Sequence, residues 1–267
     1  MRRLPGVTIV IVNFNTQQYL RTTLSAIRHF SPKTVQILVV DNHSNDESRA
    51  FLRATRDVRS VRLPYNADHG PALDVGFLLV RTEFAVAMDV DAFPISHQWL
   101  STLLRPLERG YVVSGVHHWG RFAHPCCLAM RTRDFVEKHH TFSPNRGQGK
   151  YGVDRWDVAQ LISMRERDRV FLIEKSEARG PHSPLGSVYG GIVYHNWFSV
   201  SSYPVGDALE RVSRDEVLRA WQEAKEKHLA ILEGESCSRQ SVEMESIWES
   251  SIGQHEEGDN AFESFQP

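Results

Sequence analysis

No stretch of 18 or more apolar residues occurs in the 267-residue sequence, which excludes a membrane-spanning helix. Cysteine is scarce. Cys126 and Cys127 are adjacent and Cys237 lies in a polar tail, a spacing that makes neither a disulfide framework nor a metal knuckle. Glycine is missing where a dinucleotide-binding dehydrogenase needs it. The first apolar run leads into Asn13-Phe14-Asn15-Thr16-Gln17-Gln18 rather than Gly-x-Gly-x-x-Gly, so no backbone amides approach a pyrophosphate there. Internal repeats are absent. A signal-peptide core is lacking too, because Val7–Val12 is short and β-branched, and a cytoplasmic protein is expected. The net charge of −2 gives no strong excess of either sign, but it is unevenly spread. Residues 233–267 carry nine acidic side chains against one Arg, which leaves the rest at +6. A mildly basic body suits an anionic ligand such as a nucleotide diphosphate; the excess is too small for nucleic acid.

What is present is an alternation of strands and helices. Val7–Val12 is a continuous β-branched run, expected of a strand covered on both faces. Tyr19, Thr23 and Ile27, with Leu20 and Leu24, mark a helix at four-residue spacing. Val35–Val40 reads as a second buried strand ending in Asp41, Glu47–Thr55 as helix and Val58–Leu63 as a third strand. Pro71 opens a helix reaching Val80, and Phe84–Met88 is a further strand closing on Asp89-Val90-Asp91. This order predicts a mostly parallel sheet flanked by helices, with ligands at the strand C-terminal ends. The second half is less regular. Helices are expected over His97–Leu107, Arg155–Met164 and Asp215–Leu232, and strands over Tyr111–Val116, Cys126–Met130, Val170–Ile173 and Ile192–His195. Thr141–Tyr151 and Gly180–Gly191 read as loops, and the acidic tail after Leu232 as disordered.

Asp89-Val90-Asp91 is the sharpest chemical feature. Residues i and i+2 of a strand share a face, so both carboxylates project together at the sheet edge. Close carboxylates repel unless a cation sits between them. A divalent metal held there would bridge to a diphosphate and neutralise it. The plain alternative is a solvated strand end or a pair of turn caps.

Three segments in order then resemble family 2 glycosyltransferases of the GT-A fold: Thr8–Asn15, Ile37–Asp46 and Ala87–Asp91. The resemblance spans residues 6–200 and is tightest up to Phe93. It implies a Rossmann-like nucleotide-sugar-binding half at 6–93, an irregular acceptor half at 94–200 and a C-terminal helix at 213–232, within one catalytic domain of residues 1–232. It also implies that Asn13, Phe14 and Asn15 line the base and ribose, with Asp41 accepting a hydrogen bond from the nucleoside. Asn66-Ala67-Asp68-His69-Gly70, followed by Ala72, Asp74 and Gly76, resembles the family's Asn-x-Gly…Asn-x-Gly segment, which packs beside the donor. Here Gly70 arrives late and Asp74 replaces the usual Asn. Gly76 reads as a helix–strand packing contact.

For the catalytic base the resemblance points to Asp154, with Asp157 second, in Gly152–Leu161. An inverting transfer needs a carboxylate to take the acceptor hydroxyl's proton. Both residues also fit the N-terminal end of a helix, and Val153 stands where the family usually has an acid. Val193–Phe198 resembles the family's histidine-aromatic segment, which makes His195 a third ligand beside Asp89 and Asp91 for Mn²⁺ or Mg²⁺. The implied partners are a nucleotide-sugar donor and a glycan or small-molecule hydroxyl acceptor, with any membrane contact peripheral. A nucleotidyltransferase is the rival enzyme, disfavoured by the lack of a Gly-rich basic loop after the first strand. A non-catalytic nucleotide-sugar binder is the rival of another class.

Overall fold

Val7-Thr8-Ile9-Val10-Ile11-Val12 is β-branched at every position because the strand it forms has a helix layer on each face. Ile9, Val10 and Ile11 are fully buried. The computed structural model describes residues 4–117, 122–144, 157–177, 185–196 and 213–230. In its first half β1 (Leu4–Asn13), α1 (Gln17–Phe30), β2 (Gln36–Asp41), α2 (Ser48–Ala54), β3 (Arg59–Arg62), α3 (His69–Leu79) and β4 (Thr82–Asp89) follow one another. The chain continues through β5 (Ala92–Pro94), α4 (Trp99–Glu108), β6 (Val113–His117), β7 (Ala123–Arg131) and α5 (Thr132–Glu137). After these come α6 (Gln160–Glu166), β8 (Val170–Ile173), β9 (Lys175–Glu177), β10 (Gly186–Tyr189), β11 (Val193–Asn196) and a helix, α7, over residues 214–230.

Seven strands form the main sheet in the order β3-β2-β1-β4-β7-β6-β8. Pairing is parallel from β3 across to β4 and again between β6 and β8, and antiparallel on both sides of β7. This is the mostly parallel α/β sheet expected from the strand–helix alternation. The period of two along β1 sorts the core. Ile9 and Ile11 pack with Leu20, Leu24 and Ile27 of α1 and Leu103 of α4, while Val10 and Val12 pack with Leu73 and Phe77 of α3 and Phe135 of α5. Gly76 lies where α3 crosses this sheet: a Cβ there would sit 2.3 Å from Val10 Cγ1, so the residue is a packing contact, as expected.

A second, antiparallel sheet of order β5-β11-β10-β9 was not anticipated. Its strands are three or four residues long, too short for a periodicity to show. The expected loop at Gly180–Gly191 therefore contains β10. Gly186 is small because Tyr194 packs over it: a Cβ would meet Tyr194 Oη at 2.2 Å. Gly190 and Gly191, at φ 54° and 64°, serve as turn residues into β11. Helix α5 was missed as well.

Helix starts also differ. Helix α3 begins at His69, two residues before Pro71, because every N–H of a first turn lacks an intrahelical partner and proline costs nothing there. The helix expected over Arg155–Met164 is not helical at 157–159. The Asp157 N–H donates to Gln160 Oε1, Ala159 takes φ 68° and donates to the Phe142 carbonyl, and α6 begins at Gln160. Residues 155 and 156, the Thr141–Tyr151 loop from Asn145 onward and the tail beyond residue 230 lie outside the described residues.

Candidate metal and nucleotide site

Strand register delivers the acidic pair and the histidine to one place. Asp89 ends β4 opposite Val12 of β1, and the chain then turns through Val90 and Asp91 into β5 of the small sheet. β11 runs antiparallel to β5 with His195 opposite Ala92, and the Asn196 N–H donates to the Asp91 carbonyl at 2.9 Å. His195 Nε2 thereby stands 3.5 Å from Asp91 Oδ1 and 3.6 Å from Asp89 Oδ2. The turn between the two carboxylates is pinned from beneath: the buried Thr23 hydroxyl of α1 reaches the Val90 carbonyl at 2.7 Å and the Ala92 carbonyl at 2.9 Å.

A donor atom from each of Asp89, Asp91 and His195 falls within 4.8 Å of the others. Two carboxylates and one imidazole, all largely shielded from water, fit a borderline divalent cation such as Mn²⁺ and accept Mg²⁺ less readily. Electrostatics agree with that fit. Burial pushes the Asp89 carboxyl up, but the charges of His69, His124 and His195 override it and hold the group well below the usual carboxylate range. Burial likewise pulls His195 down, and Asp91 and then Asp89 reverse this, so its proton affinity ends above the ordinary value. The carboxylates collect positive charge.

His69, not singled out from the sequence, joins the cluster from the first residue of α3, with Nε2 3.2 Å from Asp89 Oδ1. The carboxylates of Asp89, Asp91 and Asp157 raise its proton affinity against the effect of burial. Asp157 is thus brought into electrostatic reach of this corner, while its Oδ1 accepts the Val158 N–H at 2.8 Å. Asp154 lies outside the described residues.

The expected nucleoside-lining residues gather on the same C-terminal edge. Asn13 and Asp41 are register partners at the ends of β1 and β2. Asn13 is buried, donating from Nδ2 to Ser44 and accepting from Thr16 at Oδ1. Exposed Asn15, at φ 56°, accepts from the Asn45 and Asp46 N–H groups, and Phe14 between them is half-buried. Asp41 closes its turn on the Ser44 N–H at 3.0 Å and pairs with Arg62 at 2.5 Å. Asn66 accepts from Asn42 Nδ2 and from the Asp68 N–H, an Asx turn that sets the approach to α3. Among the described residues these side chains lace the C-terminal ends of β1 and β2 together. Arg62 was missed because a cation on a short exposed strand carries no signal of its own.

The change of the usual Asn to Asp74 has a structural partner. Its carboxylate accepts from Thr141 Oγ1 at 2.5 Å, the Phe142 N–H at 2.7 Å and Ser143 Oγ at 3.1 Å, fastening segment 141–144 to α3. Gly70 allows the approach, since a Cβ would meet the Phe142 carbonyl oxygen at 2.8 Å.

Comparison with known proteins adds a family. The family model described as "Glycosyl transferase family 2" matches residues 8–165. An uncharacterized glycosyltransferase of Nostoc sp. is 22% identical over 116 residues, 42% of this chain and 36% of the relative, so the match spans little more than a third of that protein. A Pyrobaculum calidifontis mannosyltransferase solved with GDP-Man and Mn²⁺ is 17% identical over 52% of this chain and 48% of its own, with a TM-score of 0.45. Residues 1–349 of Staphylococcus aureus TarS, solved with UDP-GlcNAc, are 17% identical over 81% of this chain and 65% of that one, with a TM-score of 0.49. Among the described residues no helix is long and apolar enough to cross a membrane.

Proposed function

Because the chain belongs to glycosyl transferase family 2, we propose that it transfers a sugar from a nucleotide-diphosphate sugar to an acceptor hydroxyl, with a divalent cation and with inversion. The observation that carries this reading is the convergence of Asp89, Asp91 and His195 at the C-terminal edge of the parallel strands. These three residues would hold Mn²⁺ or Mg²⁺. When bound, the cation neutralises the donor diphosphate and stabilises its charge as it leaves.

The remaining work falls to the chain itself. Asn13, Phe14, Asn15 and Asp41 line the nucleoside, their positions set by the hydrogen bonds that lace the ends of β1 and β2 together, and Asn66 stands beside the donor. Asp154 takes the acceptor hydroxyl's proton as its oxygen attacks the anomeric carbon from the face opposite the leaving diphosphate, which inverts that centre. Asp157 is the second candidate, and its electrostatic coupling to His69 supports a place near the reacting groups. The donor sugar, the nucleotide and the acceptor are set by pocket shape in the second half of the chain.

Thermal unfolding of the full chain against a panel of nucleoside diphosphates and nucleotide sugars, with and without Mn²⁺, tests the reading. A true donor raises the melting temperature only when the metal is present. Stabilisation that ignores the metal, or that survives Asp91→Asn, overturns metal dependence. Asp154→Asn should abolish transfer while donor affinity stays; equal loss of both moves the base to Asp157.

A further inference from the structure

β7 carries an irregularity beside the site. Gly115 of β6 pairs with Leu128, but the next residue, Val116, pairs with His124, so Pro125, Cys126 and Cys127 are skipped by the β6 ladder while Cys127 stays in register with Met88 of β4. Proline at such a place removes no needed hydrogen bond. The bulge turns Cys126 back toward His124, whose Nδ1 accepts the Cys126 N–H at 3.2 Å. Ligation through Nε2 moves the ring hydrogen to Nδ1 and gives up this bond. Across the gap, the His124 and His195 rings have centroids 5.5 Å apart. A sulfur and two ring nitrogens from Cys126, His124 and His195 lie within 4.8 Å of one another, and Cys126 is fully buried.

We propose that His124, Cys126 and His195 form a second cation site that takes zinc or another thiophilic ion and competes with the Asp89–Asp91–His195 set. The chemistry of the two sets differs in one atom type. Carboxylate oxygens suit Mn²⁺ and Mg²⁺, whereas a thiolate with two imidazoles selects Zn²⁺. Tetrahedral zinc bonds of about 2.3 Å to sulfur and about 2.0 Å to nitrogen put neighbouring donors roughly 3.5 Å apart. Rotation of the side chains by about an ångström therefore closes the set. The Asp91 carboxylate, 3.5 Å from His195 Nε2, supplies the fourth ligand. On binding, the thiol proton leaves to solvent and the ion compensates the thiolate left in the core. His195 serves one cation at a time, so zinc uptake expels the ion of the oxygen-rich set and acts as an inhibitor. Only this last consequence rests on the proposed transfer reaction; the site does not.

Cobalt(II) substituted for zinc reads the proposal directly, because a thiolate ligand gives a near-ultraviolet charge-transfer band. The full chain should show that band, and zinc should abolish it. Cys126→Ala should remove the band and His124→Gln should weaken zinc binding at least tenfold. Both should leave Mn²⁺ affinity, followed by electron paramagnetic resonance, within twofold of the wild type, which also shows that the variants fold. In wild type, added zinc should release bound Mn²⁺. Cobalt bound without a thiolate band, or zinc affinity unchanged by both substitutions, overturns the site. A band with no Mn²⁺ binding anywhere upholds this site and sinks the transferase reading instead.

Discussion

The Asp74 carboxylate, midway along α3, accepts the Phe142 backbone N–H at 2.7 Å and so ties α3 to the segment that precedes the proposed base in the chain. Asp74→Ala removes the acceptor for that amide and for two hydroxyls. The expected cost is about 2–3 kcal/mol in urea unfolding, since bonds to a charged acceptor exceed neutral ones. Asp74→Asn keeps one acceptor oxygen and should lose less.

Thr23 tests the proposed metal site without touching its ligands. Thr23→Val preserves shape but leaves the Val90 and Ala92 carbonyls without the hydroxyl that holds them. It should destabilise the chain by about 1–3 kcal/mol. Mn²⁺ affinity should fall severalfold as the Asp89–Asp91 turn loosens, in a titration of the folded variant. Affinity equal to wild type would show that the turn holds its shape unaided.

Gly76→Ala should cost about 1–3 kcal/mol through overpacking, because the new methyl would meet Val10 Cγ1 at 2.3 Å and Val40 Cγ2 at 3.2 Å. Adding Val10→Ala clears the nearer contact. A double-mutant cycle should then give a favourable coupling between the two substitutions. Additive losses would place the strain in the backbone.

His140 provides a pH dependence away from the metal corner. Burial holds it below the ordinary value of 6.5, outweighing Glu166, whose carboxylate lies 2.9 Å from Nε2. The unfolded chain takes up this proton at a higher pH than the folded one. Stability from this residue is therefore intact above pH 6.5 and is lost as pH falls through the lower folded value. His140→Gln should flatten the wild-type curve in that acidic window and leave the alkaline side parallel, measured by denaturant midpoints across pH.

Legibility in the sequence followed the length of the pattern. β1, β2 and β4 were readable because burial on both faces writes an unbroken apolar run, and Asp41 and Asp89 could be placed at strand ends from that alone. β5, β9 and β10 were not, since a three- or four-residue strand is defined by its partner across the sheet. The same limit hid His69 and Cys126 as members of the metal corner. Each stands in an ordinary local context, and only the α3 start and the β7 bulge bring them to Asp89 and His195. Asp74 was visible as a departure from the family pattern, but its partners are 67 to 69 positions away.

The acidic pair leaves the large sheet at β4, while His195 arrives on the small one. An ion shared by them is a rivet between two layers that also share one buried apolar cluster. Stripping it with a chelator should quicken amide deuterium uptake in β10 and β11 and leave the middle of β1 as slow as before. Backbone protection in that small layer would then report ion occupancy in a protein that has never met its sugar.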